Sequence, residues 1–177
     1  TRKIRDLGAP KAIINFDKNG EHNLEYLRQE LANWPGIKGR DLTSKVYLIN
    51  EQKKKNETNI INNSAKVLVF DFGTKLNILN CLKNHKIDVE IISGRSTFDD
   101  IISSKPHGIL LSNGPGDPAA TNRFTNKVLK KLVRDTSIPI FGICLGHQLL
   151  GLAMDAKTEK MNHGHHGANH PVLDLRL

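Results

Sequence analysis

Ile138-Pro139-Ile140-Phe141-Gly142-Ile143-Cys144-Leu145-Gly146-His147-Gln148 is the stretch on which the reading of this chain turns. The apolar run Ile138 to Ile143 reads as a buried strand, and Leu145 to Met154 reads as a helix. Their junction is Gly142-Ile143-Cys144-Leu145-Gly146, of the form Gly-x-Cys-x-Gly. This is the cysteine counterpart of a nucleophile elbow, a sharp strand-to-helix turn that lifts a side chain above a sheet. Such a turn packs closely, so small residues are needed two positions before and after the nucleophile, and Gly142 and Gly146 stand there. At the helix N-terminus, free N–H groups and the helix dipole favour a thiolate at Cys144. The N–H of Leu145 points into the same space and suits an oxyanion. A cysteine at a strand end without such glycines is more often core, and Cys81, inside the apolar pattern Ile78, Leu79 and Leu82, is read that way.

Outward from the elbow the pattern alternates regularly. Lys66 to Phe72 is a nearly continuous apolar run, as expected of a strand buried on both faces. Helices are expected near Lys75–Asn84, Thr97–Ser104 and Asn122–Arg134, and strands at Val89–Ser93 and Gly108–Ser112. Strand–helix alternation at this spacing implies right-handed βαβ units. The fold class is therefore α/β, a mostly parallel doubly wound sheet over 65–177, with its site at the carboxyl ends of the strands.

Residues 1–50 read as the tail of a smaller α/β domain. They offer a strand at Ala12–Phe16, an amphipathic helix at Asn23–Trp34 stopped by Pro35-Gly36, and a strand at Lys45–Asn50. The Lys- and Asn-rich stretch 51–64 reads as a linker.

Two further segments stand out. Ser112-Asn113-Gly114-Pro115-Gly116-Asp117-Pro118 follows a buried strand, and its glycines and prolines fix a loop whose N–H groups can meet a carboxylate or oxyanion. It lacks the Gly-Lys-Ser/Thr of a phosphate-binding loop. His163-Gly164-His165-His166-Gly167-Ala168-Asn169-His170 holds four histidines, but no carboxylate or cysteine and no standard zinc spacing, so no metal is expected there.

Composition narrows the partners. The chain has 177 residues and a formal charge of +8. Its cations are mostly lysine, spread along the chain, with aromatics at 5%, so the stacking platforms of nucleic-acid binders are missing and no nucleic acid is expected. No apolar run spans a bilayer and no signal peptide is recognisable, so no membrane is expected either. Two cysteines do not make a disulfide framework. Abundant Lys, Asn and Ile fit an AT-rich genome, and the compartment is read as cytoplasm or plastid stroma.

Taken together, the 112–118 loop, Phe141 to Gln148 and His165-His166-Gly167-Ala168-Asn169-His170-Pro171 resemble the class I glutamine amidotransferases. The third motif, with Phe70-Asp71-Phe72-Gly73-Thr74-Lys75 and the opening Thr1 to Ala9, is similar to the small, glutamine-hydrolysing subunits of carbamoyl-phosphate synthases, and the likeness covers nearly the whole chain. The resemblance implies a cysteine, here Cys144, that attacks the side-chain amide of glutamine, forms a γ-glutamyl thioester and releases ammonia. It implies an oxyanion hole from the N–H groups of Leu145 and of Gly114 or Gly116, and glutamine binding by Gln148. It implies a partner, the large synthetase subunit, which receives the ammonia and carries ATP and Mg, with no cofactor in this chain. The product would feed arginine and pyrimidine synthesis. The family's base and acid lie in a His-Pro-Glu motif that none of the eight histidines matches, so a partial chain is expected. The rivals are the amidotransferase subunit of another synthase, of the anthranilate type, and a non-catalytic docking module of the same fold.

Overall fold

The computed structural model describes residues 2–46, 64–162, 164 and 173–176. The chain divides into two compact units, one of Thr1–Gly36 with Glu159–Leu177 and one of Ile37–Thr158.

In the first unit, helix α1 (Arg2–Leu7) is followed by Gly8, and Ala9 N–H donates to the Asn162 carbonyl at 2.9 Å. Helix α2 (Leu24–Asn33) starts at Asn23, whose side chain accepts from Tyr26 N–H, and ends at Trp34, held extended ahead of Pro35. The expected stripe forms, but Leu27 and Leu31 are only half-buried and Leu24 and Trp34 are exposed. The strand expected at Ala12–Phe16 does not form. Among the described residues no strand lies beside it to complete a ladder, and Ile14 and Phe16 stay exposed. The turn after it does form, with Asp17 Oδ1 accepting from Asn19 and Glu21 N–H.

The second unit is built on four parallel strands: β1 (Lys66–Asp71), β2 (Asp88–Ser93), β3 (Gly108–Leu111) and β4 (Ile140–Gly142), in the order β2-β1-β3-β4. Val67 pairs with both Val89 and Gly108, and Ile109 with Ile140. Central β1 alternates its apolar residues between two cores. Leu68, Phe70 and the following Phe72 pack with Ile101 of α4 (Phe98–Ser103), Leu129 and Leu132 of α5 (Pro118–Asp135), and Leu145 and Leu149 of α6 (Leu145–Ala153). Val69 packs on the other face with Leu79 of α3 (Leu76–Asn84) and Leu110. Helices therefore cover both faces, the doubly wound arrangement. Each fully buried Leu or Phe contributes about 1.5–3 kcal/mol relative to an exposed one.

Four local readings are corrected. Cys81 is exposed, not core: it lies two residues past buried Leu79, about 200° around the helix and so on the solvent side of α3. Helix α5 begins at Pro118 rather than near Asn122, because Asp117 caps it through Ala119 N–H and proline is compatible with the first helical turn. Residues 37–46, read with the leading segment, belong to the compact unit of the sheet, where Asp41 and Arg40 bond to the 116–121 region. Instead of starting a strand, Lys45 ends a 3₁₀ turn at Thr43–Lys45 that Val46 closes; residues 47–50 and most of the 51–64 linker lie outside the described residues.

Candidate active site

β4 ends at Gly142 and α6 begins at Leu145, so Cys144 occupies the corner between them. Its backbone has φ 53° and ψ −108°, a conformation that costs a non-glycine residue about 1–3 kcal/mol and persists only where the surroundings dictate it. They do so here through backbone bonds on both sides. Ile143 N–H donates to the Leu111 carbonyl at 2.9 Å, and Gly146 N–H to those of Ser112 and Ile143 at 3.1 and 3.0 Å. The result is an exposed thiol at the carboxyl end of the sheet.

Both elbow glycines are there for space. A Cβ on Gly142 would lie 2.5 Å from His147 N, and one on Gly146 would lie 2.1 Å from the Leu111 carbonyl oxygen. The helix thus enters almost against β3, and neither position admits a side chain. No side chain caps α6, and no acceptor among the described residues takes the N–H of Leu145. Gln148 is exposed one turn along α6, its N–H donating to the Cys144 carbonyl at 3.1 Å, which puts it on the same helical face as the thiol.

The 112–118 loop meets this corner from the end of β3. Buried Ser112 accepts from Phe72 N–H at 3.0 Å and donates to the Asn113 carbonyl at 2.9 Å. Asn113 ties the loop to the turn after β1, donating to the Gly73 carbonyl at 3.0 Å and accepting from Lys75 N–H at 3.1 Å. That turn is itself wound around buried Asp71, which accepts from the N–H groups of Gly73 and Thr74 and from the Thr74 hydroxyl. Gly114 is packed so that a Cβ would lie 2.3 Å from the Phe72 carbonyl oxygen and 2.8 Å from Leu145 Cδ2. Gly114 and Leu145 are therefore neighbours. Gly116 (φ +100°) faces away, against Arg40 and Leu42.

The structure thus gathers Cys144, Leu145, Gln148 and Gly114 at one corner and leaves Gly116 on its outer side. An exposed thiol at a helix N-terminus beside unengaged N–H groups is equipped to attack an acyl carbon and hold the oxyanion that forms. His147 is exposed on α6, and no histidine bonds to the Cys144 thiol among the described residues. The histidine cluster 163–170 lies outside them, apart from Gly164. No group of three His, Cys, Asp or Glu able to hold a metal ion occurs among the described residues, and none of their helices is long and apolar enough to cross a membrane. Asp117 and Asp41, which fasten the glycine loop, were not singled out from the sequence. Asp117 before Pro118 was a readable helix start; Asp41 carried no such signal.

Residues 68–176 match the family model for class-I glutamine amidotransferases. The chain belongs to that family. As a class I amidotransferase, it resembles proteins named carbamoyl phosphate synthase small chain. That of Ruegeria pomeroyi is 41% identical over 99% of this chain and 47% of its own length. Those of Bradyrhizobium diazoefficiens and Agrobacterium fabrum are 41% and 43% identical over 98% and 99% of this chain, and each is matched over 46% of its length. The chain spans about half the length of these curated relatives. Among solved structures, a Thermoplasma acidophilum protein described as one subunit of a GMP synthase overlays 51% of this chain and 45% of its own at 22% identity, with a TM-score of 0.45.

Proposed function

We propose that this amidotransferase chain belongs to the glutaminase subunit of a carbamoyl-phosphate synthase. The observation that carries the reading is the exposed Cys144 at a positive-φ corner between β4 and α6, with Gly114 packed beside Leu145. The names of its relatives support this choice of synthase.

The Cys144 thiolate attacks the side-chain amide carbon of glutamine, forming a C–S bond. The carbonyl electrons move to oxygen, where the N–H groups of Leu145 and Gly114 stabilise them, Gly116 fixing the far end of the same loop. Collapse of this intermediate breaks the C–N bond, and the leaving nitrogen takes a proton and departs as ammonia. Water then cleaves the γ-glutamyl thioester to glutamate and restores the thiol. Gln148, on the face of Cys144, holds the substrate. The base is the histidine that the family resemblance supplies from its His-Pro-Glu motif. Ammonia passes to the large synthetase subunit, where ATP and Mg act, and the carbamoyl phosphate made there serves arginine and pyrimidine synthesis. The AT-rich composition supports cytoplasm or plastid stroma as the compartment.

The test uses the complete subunit with its synthetase partner. Cys144→Ser is expected to lower glutamine-driven synthesis by about a thousandfold or more while synthesis from free ammonia persists. Unchanged glutamine-driven synthesis in that variant would sink the reading. Because Cys81 is also exposed, thiol labelling alone does not separate an enzyme from a docking module. Glutamine should protect Cys144, and not Cys81, from a glutamine-mimicking alkylator.

A further inference from the structure

Residues Ile37 to Val46 form a strap along the outer side of the glycine loop, fastened at four points. Gly39 N–H donates to Asp117 Oδ2 at 2.7 Å, and Asp117 N–H donates to the Arg40 carbonyl at 2.9 Å. Asp41 pairs with Gly116 in an isolated antiparallel bridge. Asp41 Oδ1 accepts from the Thr121 hydroxyl, in the first turns of α5, at 3.3 Å.

Asp41 is in turn held from several sides. The same oxygen accepts from Thr43 N–H at 3.0 Å and from the Thr43 hydroxyl at 2.5 Å. Its second oxygen faces Arg95 at 3.6 Å, and the Arg95 guanidinium lies 3.9 Å above the Phe124 ring. Thr43 and Thr121 are fully buried. Gly116 answers the strap directly: its φ is +100°, and a Cβ there would lie 2.9 Å from both the Arg40 carbonyl oxygen and Leu42 N. Asp117 divides its carboxylate, one oxygen capping α5 through Ala119 N–H at 2.8 Å and the other tying down the strap.

The glycine loop is consequently pinned at both ends, by Ser112 and Asn113 to the turn after β1 and by Gly116 and Asp117 to the strap. We propose that Asp41 and Asp117 are positioning residues, which through the strap hold the Gly114 N–H in register with Cys144 and the Leu145 N–H. The proposal rests on the glutaminase reading of this corner. An oxyanion donor acts on the transition state only where it is aimed, and a displacement of about 1 Å can cost about a hundredfold. Released at one end, the loop keeps its fold but loses its aim.

The discriminating variant is Asp117→Ser in the complete subunit bound to its synthetase partner. Serine keeps a helix-capping oxygen but is too short to reach Gly39. We expect kcat for glutamine hydrolysis to fall about tenfold or more with KM changed less than about twofold. The fraction of Cys144 titratable by iodoacetamide and the ammonia-driven rate should stay at wild-type values. Asp41→Ala should behave alike, and Asp41→Asn, which keeps an acceptor toward Thr43 and Thr121, should recover most of the loss. Full kcat in Asp117→Ser would overturn the proposal. So would a loss of kcat matched by an equal loss of titratable Cys144, which is a folding defect. Failure of the underlying reading looks different: wild type and Cys144→Ser would then release glutamate equally.

Discussion

At Gly146 a single hydrogen atom separates a working elbow from a clash. The position a Cβ would take lies 2.1 Å from the Leu111 carbonyl oxygen. The backbone cannot retreat, because Gly146 N–H is bonded to Ser112 and Ile143 and Ile143 N–H to Leu111. Gly151, five residues along the same helix, meets only the Ala156 methyl at 3.8 Å. Alanine at these two positions should therefore have opposite effects. Gly146→Ala is expected to lower the unfolding free energy by about 3 kcal/mol, as overpacking against backbone does. Gly151→Ala is expected to raise it by about 0.5–1 kcal/mol through helix propensity. Denaturant midpoints measure both. Equal shifts would mean that the elbow has room that the geometry denies it. At this scale the sequence was most legible, since a Gly-x-Cys-x-Gly spacing exists for a steric reason that any one chain displays. Cys81 misled because its apolar neighbours Leu79 and Leu82, two residues before it and one after, turn inward while Cys81 turns outward.

Among elements, those that the sequence disclosed are those whose burial is decided locally. The strand β1 was readable because apolar residues on both faces require covering on both faces, and α4 from its apolar pattern; the reciprocal capping box of Thr97 and Asp100 that starts it is an addition of the structure. Thr97→Ala should cost about 1 kcal/mol, read from the urea midpoint; no change would show the box to be idle. Ala12–Phe16 has strand composition too, but a strand exists only as a pair, and its own residues do not say whether a partner is there. The strap was illegible for a related reason. Its bonds run to residues about 80 positions away (Gly39 to Asp117, Asp41 to Thr121), and no local pattern encodes them.

The β1–β2 pairing carries a pH signature. Burial pushes the Glu90 carboxyl up, but hydrogen bonds from Lys66 and Ser104 and the Lys66 charge outweigh it, so its pKa falls below the ordinary value. A carboxylate depressed in the folded state contributes stability above its unfolded pKa, and that contribution is lost as pH falls through the folded one. Both side chains are partly exposed, so the pair is worth only about 0.5 kcal/mol. Glu90→Gln should therefore melt slightly below wild type at neutral pH and together with it in acid, once the pH is below the folded Glu90 pKa. A gap that persists in acid would assign the effect to packing.

For the whole molecule, the described residues hold an exposed cysteine at the start of α6, with Gly114 packed against Leu145 beside it, and the chain spans about half the length of these curated relatives. Attack and turnover make different demands. A thiol needs exposure to be alkylated, and Cys144 has it from the elbow. Turnover needs a base that returns a proton to the leaving nitrogen and later activates water, and its loss typically costs about 10⁴-fold. No described histidine bonds to Cys144, and the resemblance assigns the base to a His-Pro-Glu motif that none of the eight histidines matches. The 177 residues on their own are therefore expected to be alkylated at Cys144 by iodoacetamide, mapped by peptide mass against Cys81. They are expected to release glutamate from glutamine at about a thousandth or less of the complete subunit's rate. Turnover near that of the complete subunit would place the base among this chain's own histidines and overturn the division between capture and turnover.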